Sequence, residues 1–570
     1  MFDQYYRDEL NRLRQLATDY ADKEPELARH LVPGSDPDVE RLLEGVAFLT
    51  AGLRDQLDRE APRFTRNLLE ILDPTRLQAL VSTTLIGFTP RSGLKAAQVL
   101  PAGTPLGNQL NQEKRVEFTT TQACRVAPLE ITHCSTNEQQ TGGITKRCLT
   151  LTLRSLAGGL GASLSDYPLN IHLVAPLGVS ADLYWLLLHA CQQVDVLLDQ
   201  QQPPTLIKAH IKALDQPLQK ERLPGEATMC NYLHSPEAAM AIQISFEGLD
   251  ALNKASELKL NFWIDESQVF LPKLEKHYFK LHCVAAHNQF LRHLPPFLRD
   301  DRHLLQPLQA RQKKQEMLLI QAIEHIQGQY ATSNESHTYL PYWEAEETAY
   351  AHAYQLHHEQ SLSTGLPSSR LLLTQGKAVP TGQEEMIRVN AWCSNGQSAA
   401  QLLPNDINVH LNATPETVDF SNLTTSTAWK APQLDPASER QQVAELSRGN
   451  TSLFSQNGLL QRLREMAERV SPDESRLTIN QKKLDAIQKV TVRPTEKLLE
   501  QSLYRGLEMN ISINFQAFNS KGDALGFCSR LDRLLALMAP INHFSALYVT
   551  DVTSGEGFTW PAKLNTQVLG

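Results

Sequence analysis

The 570-residue sequence contains no run of about 18 consecutive apolar residues, the length with which a helix crosses a bilayer. Its richest apolar stretch, residues 183–190, is far too short. The first residues carry Asp3, Asp8 and Glu9, where an export signal would need an uninterrupted apolar core. We therefore expect a cytoplasmic protein that is not inserted into a membrane.

Paired cysteines and excess positive charge are also missing. The 8 cysteines include no C-x-x-C pair and show no regular spacing, which argues against zinc sites and disulfides. Lysine and arginine number 54 against 63 aspartates and glutamates, and the net charge is −9. A nucleic-acid-binding protein needs a basic surface to neutralise phosphates. We expect reduced thiols, no metal, no cofactor and no nucleic-acid partner.

Catalytic motifs are absent as well. The sequence has neither the phosphate-binding P-loop string nor the G-x-S-x-G nucleophile elbow. His352, His357 and His358 fall in residues 342–360, which we predict to be helical. Metal capture on a helix favours histidines four residues apart, and these are not. The sequence therefore predicts a protein that is not an enzyme.

The sequence does contain a strong helix pattern between residues 36 and 72. Asp36 can accept hydrogen bonds from the first free amides of a helix, and Pro37 suits the first helical position. Apolar residues then follow at steps of three and four, which predicts an apolar seam on one helix face. We expect Pro62 to begin a second helix that continues the pattern. The seam residues are Val39, Leu42, Val46, Leu49, Leu53, Leu57, Phe64 and Leu68.

Two interpretations of this seam remain open from periodicity alone. Helices with a one-sided apolar stripe need something to pack against. The seam could cover a core of the same chain, which is the commoner arrangement. Alternatively, it could contribute to a helix bundle that is shared with other chains.

Changes in hydrophobic period divide the chain into four predicted segments. Residues 1–80 are predicted to form a helical arm, with a first helix over residues 2–21. Residues 81–340 show apolar alternation of period two and predict β-rich modules with one internal helix, over residues 181–198. Residues 341–470 are predicted as a connecting module with a long exposed polar loop over residues 411–455. Residues 471–570 are predicted as a small α/β sandwich, in which residues 523–538 form a helix with one apolar face. The predicted fold class is α+β, multidomain and elongated.

Four groups of short segments, in order along the chain, carry a resemblance to a known family. They are PDVERLLEGVAFL at residues 37–49, CVAAHNQF at 283–290, CSN at 393–395 with LLP at 402–404, and RGLE at 505–508 with INHF at 541–544. These segments resemble the TssF family, also called VasA or ImpG, of the bacterial type VI secretion system. The sequence departs from the family pattern at Ala285, where proline is usual, and at Gly396, where arginine is usual.

The resemblance implies a structural baseplate subunit. Members of the family pair as two copies with one TssG, and these wedges join TssE and TssK around the spike VgrG. The assembly is the platform for the sheath and tube proteins, and it lies at the inner face of the cytoplasmic membrane through its partners. In such wedges the helical arms form a shared core bundle, which implies that the seam residues are a partner interface. Two other hypotheses are a β-sandwich binding protein of unknown ligand and a cytosolic hydrolase.

Overall fold

The contacts within a computed structural model divide the chain into two compact units. The helical unit comprises Met1–Leu77 and Gln433–Ser447, and the β-rich unit comprises Gln78–Pro432 and Arg448–Gly570. The structure describes residues 2–23, 36–109, 115–141, 144–160, 164, 167–198, 207–214, 224–246, 255–265, 269–300, 302–311, 317–331, 336–345, 352–360, 367–375, 384–411, 414–433, 436–447, 454–499 and 502–565.

The helices are numbered along the chain. They are α1 (Phe2–Lys23), α2 (Pro37–Leu72), α3 (Leu177–Trp185), α4 (Pro224–His234), α5 (Tyr342–Ala345), α6 (Pro436–Ser447), α7 (Gln456–Val470), α8 (Glu474–Asp485) and α9 (Lys521–Met538). The predicted start of α2 is confirmed, since Asp36 is its N-cap and accepts a hydrogen bond from the amide of Asp38. The predicted first helix is confirmed by α1.

The expectation that Pro62 begins a second helix is wrong. α2 runs without interruption from Pro37 to Leu72. A proline inside a helix removes one amide donor and crowds the preceding turn, at a cost of about 3 kcal/mol. Contacts with other helices hold α2 on both sides of Pro62, and these contacts offset the cost.

α1 packs antiparallel against the first half of α2. Glu9 accepts a hydrogen bond from Arg54 at 2.9 Å, and Glu40 accepts one from Arg14 at 2.9 Å. Ala47 lies two helical turns from both Glu40 and Arg54, so it faces the same side and is completely buried. Small residues on this side let the two helices approach closely.

α6 packs against the second half of α2, after Pro62. The Arg66 guanidinium donates hydrogen bonds to Glu439 at 2.6 and 2.9 Å, and the Glu439 side chain is fully buried. Leu69 of α2 is also fully buried. Glu439 lies 373 residues after Arg66, so a distant segment completes the helical unit, which the sequence did not indicate.

Two sheets occupy the first part of the β-rich unit. The six-stranded sheet contains β1 (Thr83–Pro90), β3 (Pro105–Gln109), β4 (Arg115–Thr120), β14 (Cys283–His287), β24 (Val409–His410) and β25 (Val418–Asn422), in the order β24-β3-β4-β14-β1-β25. Beside these strands, β2 (Gln98–Leu100) pairs with β5 (Cys124–Val126). The eight-stranded sheet contains β6 (Leu129–Thr141), β7 (Ile144–Ser155), β8 (Leu169–Leu173), β9 (Cys191–Leu198), β10 (Ile207–Ala213), β11 (Ala241–Phe246), β12 (Glu257–Ile264) and β13 (Phe279–Leu281), in the order β13-β8-β11-β10-β9-β12-β7-β6.

Two further sheets follow. The nine-stranded sheet contains β15 (Phe290–His293), β16 (Phe297–Leu298), β17 (Leu305–Leu308), β18 (Ala310–Arg311), β19 (Met317–Tyr330), β20 (Ser336–Pro341), β21 (His352–Gln360), β22 (Pro367–Thr374) and β23 (Glu385–Ser394). Its main path is β15-β23-β19-β20-β21-β22-β17. The four-stranded sheet contains β26 (Ile487–Leu499), β27 (Ser502–Ile513), β28 (His543–Asp551) and β29 (Gly557–Leu564), in sequence order. The multidomain α+β fold class is confirmed.

The sheets bury three main apolar cores. One belongs to the six-stranded sheet and includes Phe118 and Val284. Another belongs to the nine-stranded sheet and includes Phe290 and Ile326. The largest lies among the eight-stranded sheet, α3, α4, α7, α9 and the four-stranded sheet, and Phe527 is one of its fully buried members. The C-terminal sheet and helix are therefore not an independent core.

A single residue, His282, joins the eight-stranded sheet to the six-stranded sheet. It lies between β13 and β14 and has a φ of 54°, a left-handed conformation that is uncommon for residues other than glycine. Its carbonyl accepts a hydrogen bond from Phe88 of β1 at 3.0 Å. The sharp change of direction lets consecutive strands enter different sheets.

Three segments differ from the sequence prediction. The helix predicted over residues 181–198 is α3, a π-helical turn (Leu186–Ala190) and β9. The helix predicted over residues 342–360 is the short α5 and, within the described residues, β21, which pairs with β20 and β22. The exposed connection predicted over residues 411–455 contains β25 and α6. Pairing with distant strands and helices decided all three.

Candidate partner-binding surface

The apolar seam of α2 is largely uncovered in this chain. We call the exposed residues Leu42, Val46, Leu49, Leu53 and Phe64 the α2 stripe; their exposed fractions are 69, 48, 69, 62 and 72%. Val39 and Leu68 are partly buried, and the side chain of Leu57 lies outside the described residues. Large apolar side chains of this number are rarely left in water on one face unless a partner covers them.

The α2 stripe is exposed because α1 occupies a different side of the helix. Each residue advances about 100° around a helix, so Leu42 and Leu49 lie more than 100° away from the buried Ala47. α6 contacts the side that carries Arg66 and Leu69, which is again not the stripe. The contacts of α2 with α1 and α6 therefore leave the five residues of the α2 stripe exposed.

Other exposed apolar residues of the helical unit were missed at the sequence level. Leu16 and Tyr20 of α1 are 54 and 51% exposed, and Phe48 and Ile71 of α2 are 58 and 50% exposed. Ile71 lies seven residues after Phe64, so extending the same pattern to the end of α2 finds it. The sequence pattern does not show which apolar residues of α1 are exposed, because that depends on which face of α1 packs against α2.

Buried ion pairs join α2, which carries the stripe, to α1 and α6. The Glu9 side chain is 7% exposed and pairs with Arg54, while the Glu439 side chain has no exposure and pairs with Arg66. Removing one member of such a pair would leave a buried charge uncompensated, which is strongly destabilising. These pairs position α1 and α6 and leave the α2 stripe open.

The family-like segments at residues 283–290 and 393–395 make hydrogen bonds in the interior of the protein. Asn288 is fully buried, and its amide group donates to the carbonyl of Glu117 at 2.7 Å and to the side chain of Asn395 at 2.9 Å. Its carbonyl oxygen accepts from the Ser394 hydroxyl and from the Asn395 amide, each at 2.8 Å. Asn288 thus ties the six-stranded sheet to the end of β23 in the nine-stranded sheet.

The last motif also serves packing. A Cβ at Gly506 of β27 would lie 2.3 Å from the carbonyl oxygen of Phe544 and 2.5 Å from its ring, so only glycine fits. Phe544 of β28 is fully buried. Gly396 has a φ of 58°, a conformation that favours glycine, and a Cβ there would lie 2.7 Å from the end of the Leu319 side chain.

The histidines form no metal site among the described residues, in which no group of three or more His, Cys, Asp or Glu side chains could hold an ion. His352 lies on β21, not on a helix, and its ring centroid lies 4.0 Å from that of His337, with the two rings tilted. His337 bonds to the fully buried Glu385 carboxylate at 2.6 Å, and Tyr339 donates to the same carboxylate at 2.8 Å. Burial lowers the pKa of His352. Glu385 thus links β20 to β23, and His352 of β21 lies beside this group.

Burial raises the pKa of several thiols. None of the 8 cysteines is part of a disulfide. Burial raises the pKa of Cys124 and Cys393 to about 12 and that of Cys134 to about 11. A thiol with so high a pKa carries almost no thiolate at neutral pH, so it is a poor nucleophile and a poor metal ligand.

A small cavity of about 60 Å³ lies where β5, β8 and the β13–β14 joint meet. Its lining includes Cys124, Arg125, Asn170 and His282. It has room for only a few water molecules.

No helix among the described residues is long and apolar enough to span a bilayer.

Comparison with known proteins gives consistent matches. The type VI secretion system component TssF1 of Pseudomonas aeruginosa is 36% identical over 137 residues, which is 22% of this chain and 22% of that protein. The match thus spans about a fifth of the curated relative. A chain in the cryo-electron microscopy structure of a TssK-TssF-TssG baseplate subcomplex has a TM-score of 0.72 at 21% identity and covers 93% of this chain and 100% of that one. A chain in the baseplate complex of the type VI secretion system has a TM-score of 0.60 at 20% identity, with complete coverage of both.

The two structural similarities show that this chain shares its multidomain fold with these baseplate chains. The family model described as type VI secretion system, TssF, matches residues 1–567. The chain belongs to the TssF family.

Proposed function

We propose that this protein is a structural subunit of the type VI secretion baseplate wedge and that it assembles through its helical unit. The observation that carries the proposal is the exposed α2 stripe in a chain of the TssF family. Similar folds occur in a TssK-TssF-TssG subcomplex and in a baseplate complex, which supports the same role. We also propose that the protein has no catalytic activity.

The proposed interface consists of the seam residues of α2. They are Val39, Leu42, Val46, Leu49, Leu53, Leu57, Phe64 and Leu68. Burying each exposed member against another subunit would contribute about 1.5 to 3 kcal/mol, and a few such residues dominate most interfaces. The first partners are TssG and a second copy of this chain. From the family resemblance we propose TssK, TssE, the VgrG spike and the sheath and tube proteins as further partners. We propose that the assembly lies on the cytoplasmic side of the membrane.

The test is co-purification from the native cells. A variant with Leu42→Ser, Val46→Ser and Leu49→Ser should no longer bring down the TssG-like subunit, while the melting of the β-rich unit should stay unchanged. The side chains of the α2 stripe are exposed and are not part of a core, so replacing them by serine should not unfold the protein. A matched control replaces Arg41 and Glu44, exposed residues off the stripe, by serine and should behave like the parent.

Two results would contradict the proposal. Normal recovery of the TssG-like subunit with the triple variant would exclude the stripe as the interface. A lower melting temperature of the β-rich unit would instead favour the alternative that the seam covers a core of the same chain.

A further inference from the structure

A group of aromatic and charged side chains lies on one face of the nine-stranded sheet, where β23, β19, β20 and β21 follow one another. Gly328 of β19 is opposite His337 of β20, and a Cβ on this glycine would lie 2.1 Å from Glu385 Oε1 and 2.4 Å from His337 Nε2. The lack of a side chain at Gly328 therefore lets the Glu385 carboxylate and the His337 ring meet above β19. His352 of β21 is directly opposite Tyr339 of β20, and its ring adjoins the same group.

The pairing between β20 and β21 is short. The two strands are parallel and match over three residue pairs, from Tyr339 with His352 to Pro341 with Tyr354. Parallel pairing is slightly less stable per residue than antiparallel pairing, and Pro341 has no amide to contribute. On its other side, β21 pairs with β22 over eight residue pairs. The β20–β21 pairing therefore has few backbone hydrogen bonds, and it depends on the side chains beside it.

The buried carboxylate of this group, Glu385, already has several partners. It accepts hydrogen bonds from the Tyr339 hydroxyl at 2.8 Å and from the Gln375 amide at 3.2 Å. It is also bonded to His337 at 2.6 Å and lies 3.5 Å from the Arg299 guanidinium. None of these four partners is on β21, so the carboxylate does not hold β21 through a hydrogen bond with any of them.

The ring of His352 is held by packing. Its centroid lies 4.0 Å from that of His337 and 5.1 Å from that of Tyr339. Its Nδ1 atom is buried and has no hydrogen-bond partner among the described residues. A protonated imidazole carries a hydrogen on both ring nitrogens. A proton on His352 would therefore place a charged N–H where the described residues offer no acceptor, which is costly away from water.

The charges around His352 do not compensate for this cost. Among the described residues, the titratable groups that face it are Tyr330 of β19, His337 and Tyr339 of β20, Glu385 of β23 and Arg299, which follows β16. Arg299 and His337 oppose a positive charge on His352, although burial is the larger cause of its lowered pKa. α5, which adjoins β21, carries Tyr342 and Glu344, and both are exposed.

We propose that His352 makes the β20–β21 pairing sensitive to acid. As a neutral imidazole it packs against His337 and Tyr339 and stabilises the pairing. Separation of the two strands brings the ring into water, where it binds a proton more readily. The separated state thus holds more protons below about pH 6.5, so the pairing is stable above that value and is lost progressively as the pH falls. This behaviour is local to the nine-stranded sheet and does not depend on the proposed function.

The experiment is hydrogen exchange of the full-length chain at pH 7.5 and pH 5.5. Each measured rate is compared with the intrinsic rate at the same pH, which gives a protection factor for each segment. Protection of the amides in residues 336–345 and 352–356 should fall roughly three- to tenfold between the two pH values, since coupling to one proton allows at most about a tenfold change per pH unit. The amides of β27, in the four-stranded sheet, should respond to pH equally in the parent and in a His352→Phe variant.

Variants identify the titrating group. His352→Phe keeps an aromatic ring and removes the titration, so the β20 and β21 amides should lose most of their pH dependence. His352→Gln, which also does not titrate, gives the same readout if the phenylalanine variant fails to fold. His358→Gln is the matched control, because His358 is a buried residue of the same strand and its Nδ1 lies 3.2 Å from the Ser369 hydroxyl. This control should keep the pH dependence of the parent.

Four results would overturn the proposal. They are equal protection of β20 and β21 at both pH values in the parent, full pH dependence in the two His352 variants, a His358→Gln variant that loses the pH dependence, and a change at β27 in His352→Phe as large as that at β21. The last result would show a global loss of stability and not a local opening. None of these measurements involves another subunit, so their failure and the failure of the proposed function are distinguishable.

Discussion

At the residue scale, three of the four segment groups that carry the family resemblance contribute to packing inside the β-rich unit. Asn288 satisfies its whole amide group through Glu117, Ser394 and Asn395, and Gly506 makes room for the Phe544 ring. A buried amide of this kind is costly to replace, because each partner would be left without a hydrogen bond. These residues therefore preserve the scaffold, and the partner surface has to be sought elsewhere.

Replacing Phe544 by alanine should lower the free energy of unfolding by about 3 to 5 kcal/mol, because the ring is fully buried and its loss leaves a cavity. Thermal unfolding measures the change. Phe270→Ala is the matched control, since Phe270 is 80% exposed and should have almost no effect. A Phe544→Ala protein that melts like the parent would show that this side chain is not part of the core in solution.

His282 predicts a pH dependence. Burial lowers its pKa from 6.5 to about 4. The folded state therefore holds fewer protons than the unfolded state below pH 6.5, so stability is complete above that value and is lost as the pH falls toward 4. Between pH 7.5 and pH 5 this group alone should cost about 2 kcal/mol.

The measurement is the unfolding temperature as a function of pH. His282→Asn should flatten the fall in stability below pH 6.5, since asparagine does not titrate and tolerates a positive φ. His277→Asn, at an exposed site, is the matched control. Equal profiles for the parent and His282→Asn would contradict a buried neutral histidine at the joint between the sheets.

At the element scale, the sequence predicted those helices and strands whose conformation follows from their local residue pattern. The N-cap at Asp36 and the apolar face of α9 are local features, and both were predicted within a few residues. β21 was predicted as a helix because His352, Tyr354 and Leu356 have no strong local preference, and its pairing with β20 and β22 decides its conformation. The uninterrupted α2 depends on packing with α1 and α6, which a local pattern does not contain.

Pro62→Ala should stabilise α2 by about 3 kcal/mol, because the substitution restores one amide donor and removes the clash with the preceding turn. Hydrogen exchange of the amides in residues 50–72 would show the gain as slower exchange. Glu44→Ala, in the same helix but far from the proline, should change this region little. Unchanged exchange with Pro62→Ala would indicate that the helix already breaks at residue 62.

At the scale of the whole molecule, the sequence predicted the class of the fold and the family, because both rest on patterns that extend along the chain. It also predicted where an apolar helix face lies. It did not predict that Pro436–Ser447 returns to the helical unit, because the Arg66–Glu439 pair joins residues far apart in sequence. The proposed interface remains a prediction, since exposure within one chain shows only that the chain itself does not cover the surface.

The most direct test of the central claim is hydroxyl-radical footprinting of the chain alone and in the complex purified from its own cells. The account predicts that Leu42, Leu49 and Phe64, which are 69, 69 and 72% exposed in the chain, lose most of their reactivity in the complex. Ala47 and Leu69, which the chain already buries, should be unreactive in both states. Equal reactivity of the three stripe residues in the free chain and in the complex would contradict the claim that this protein joins the baseplate through α2.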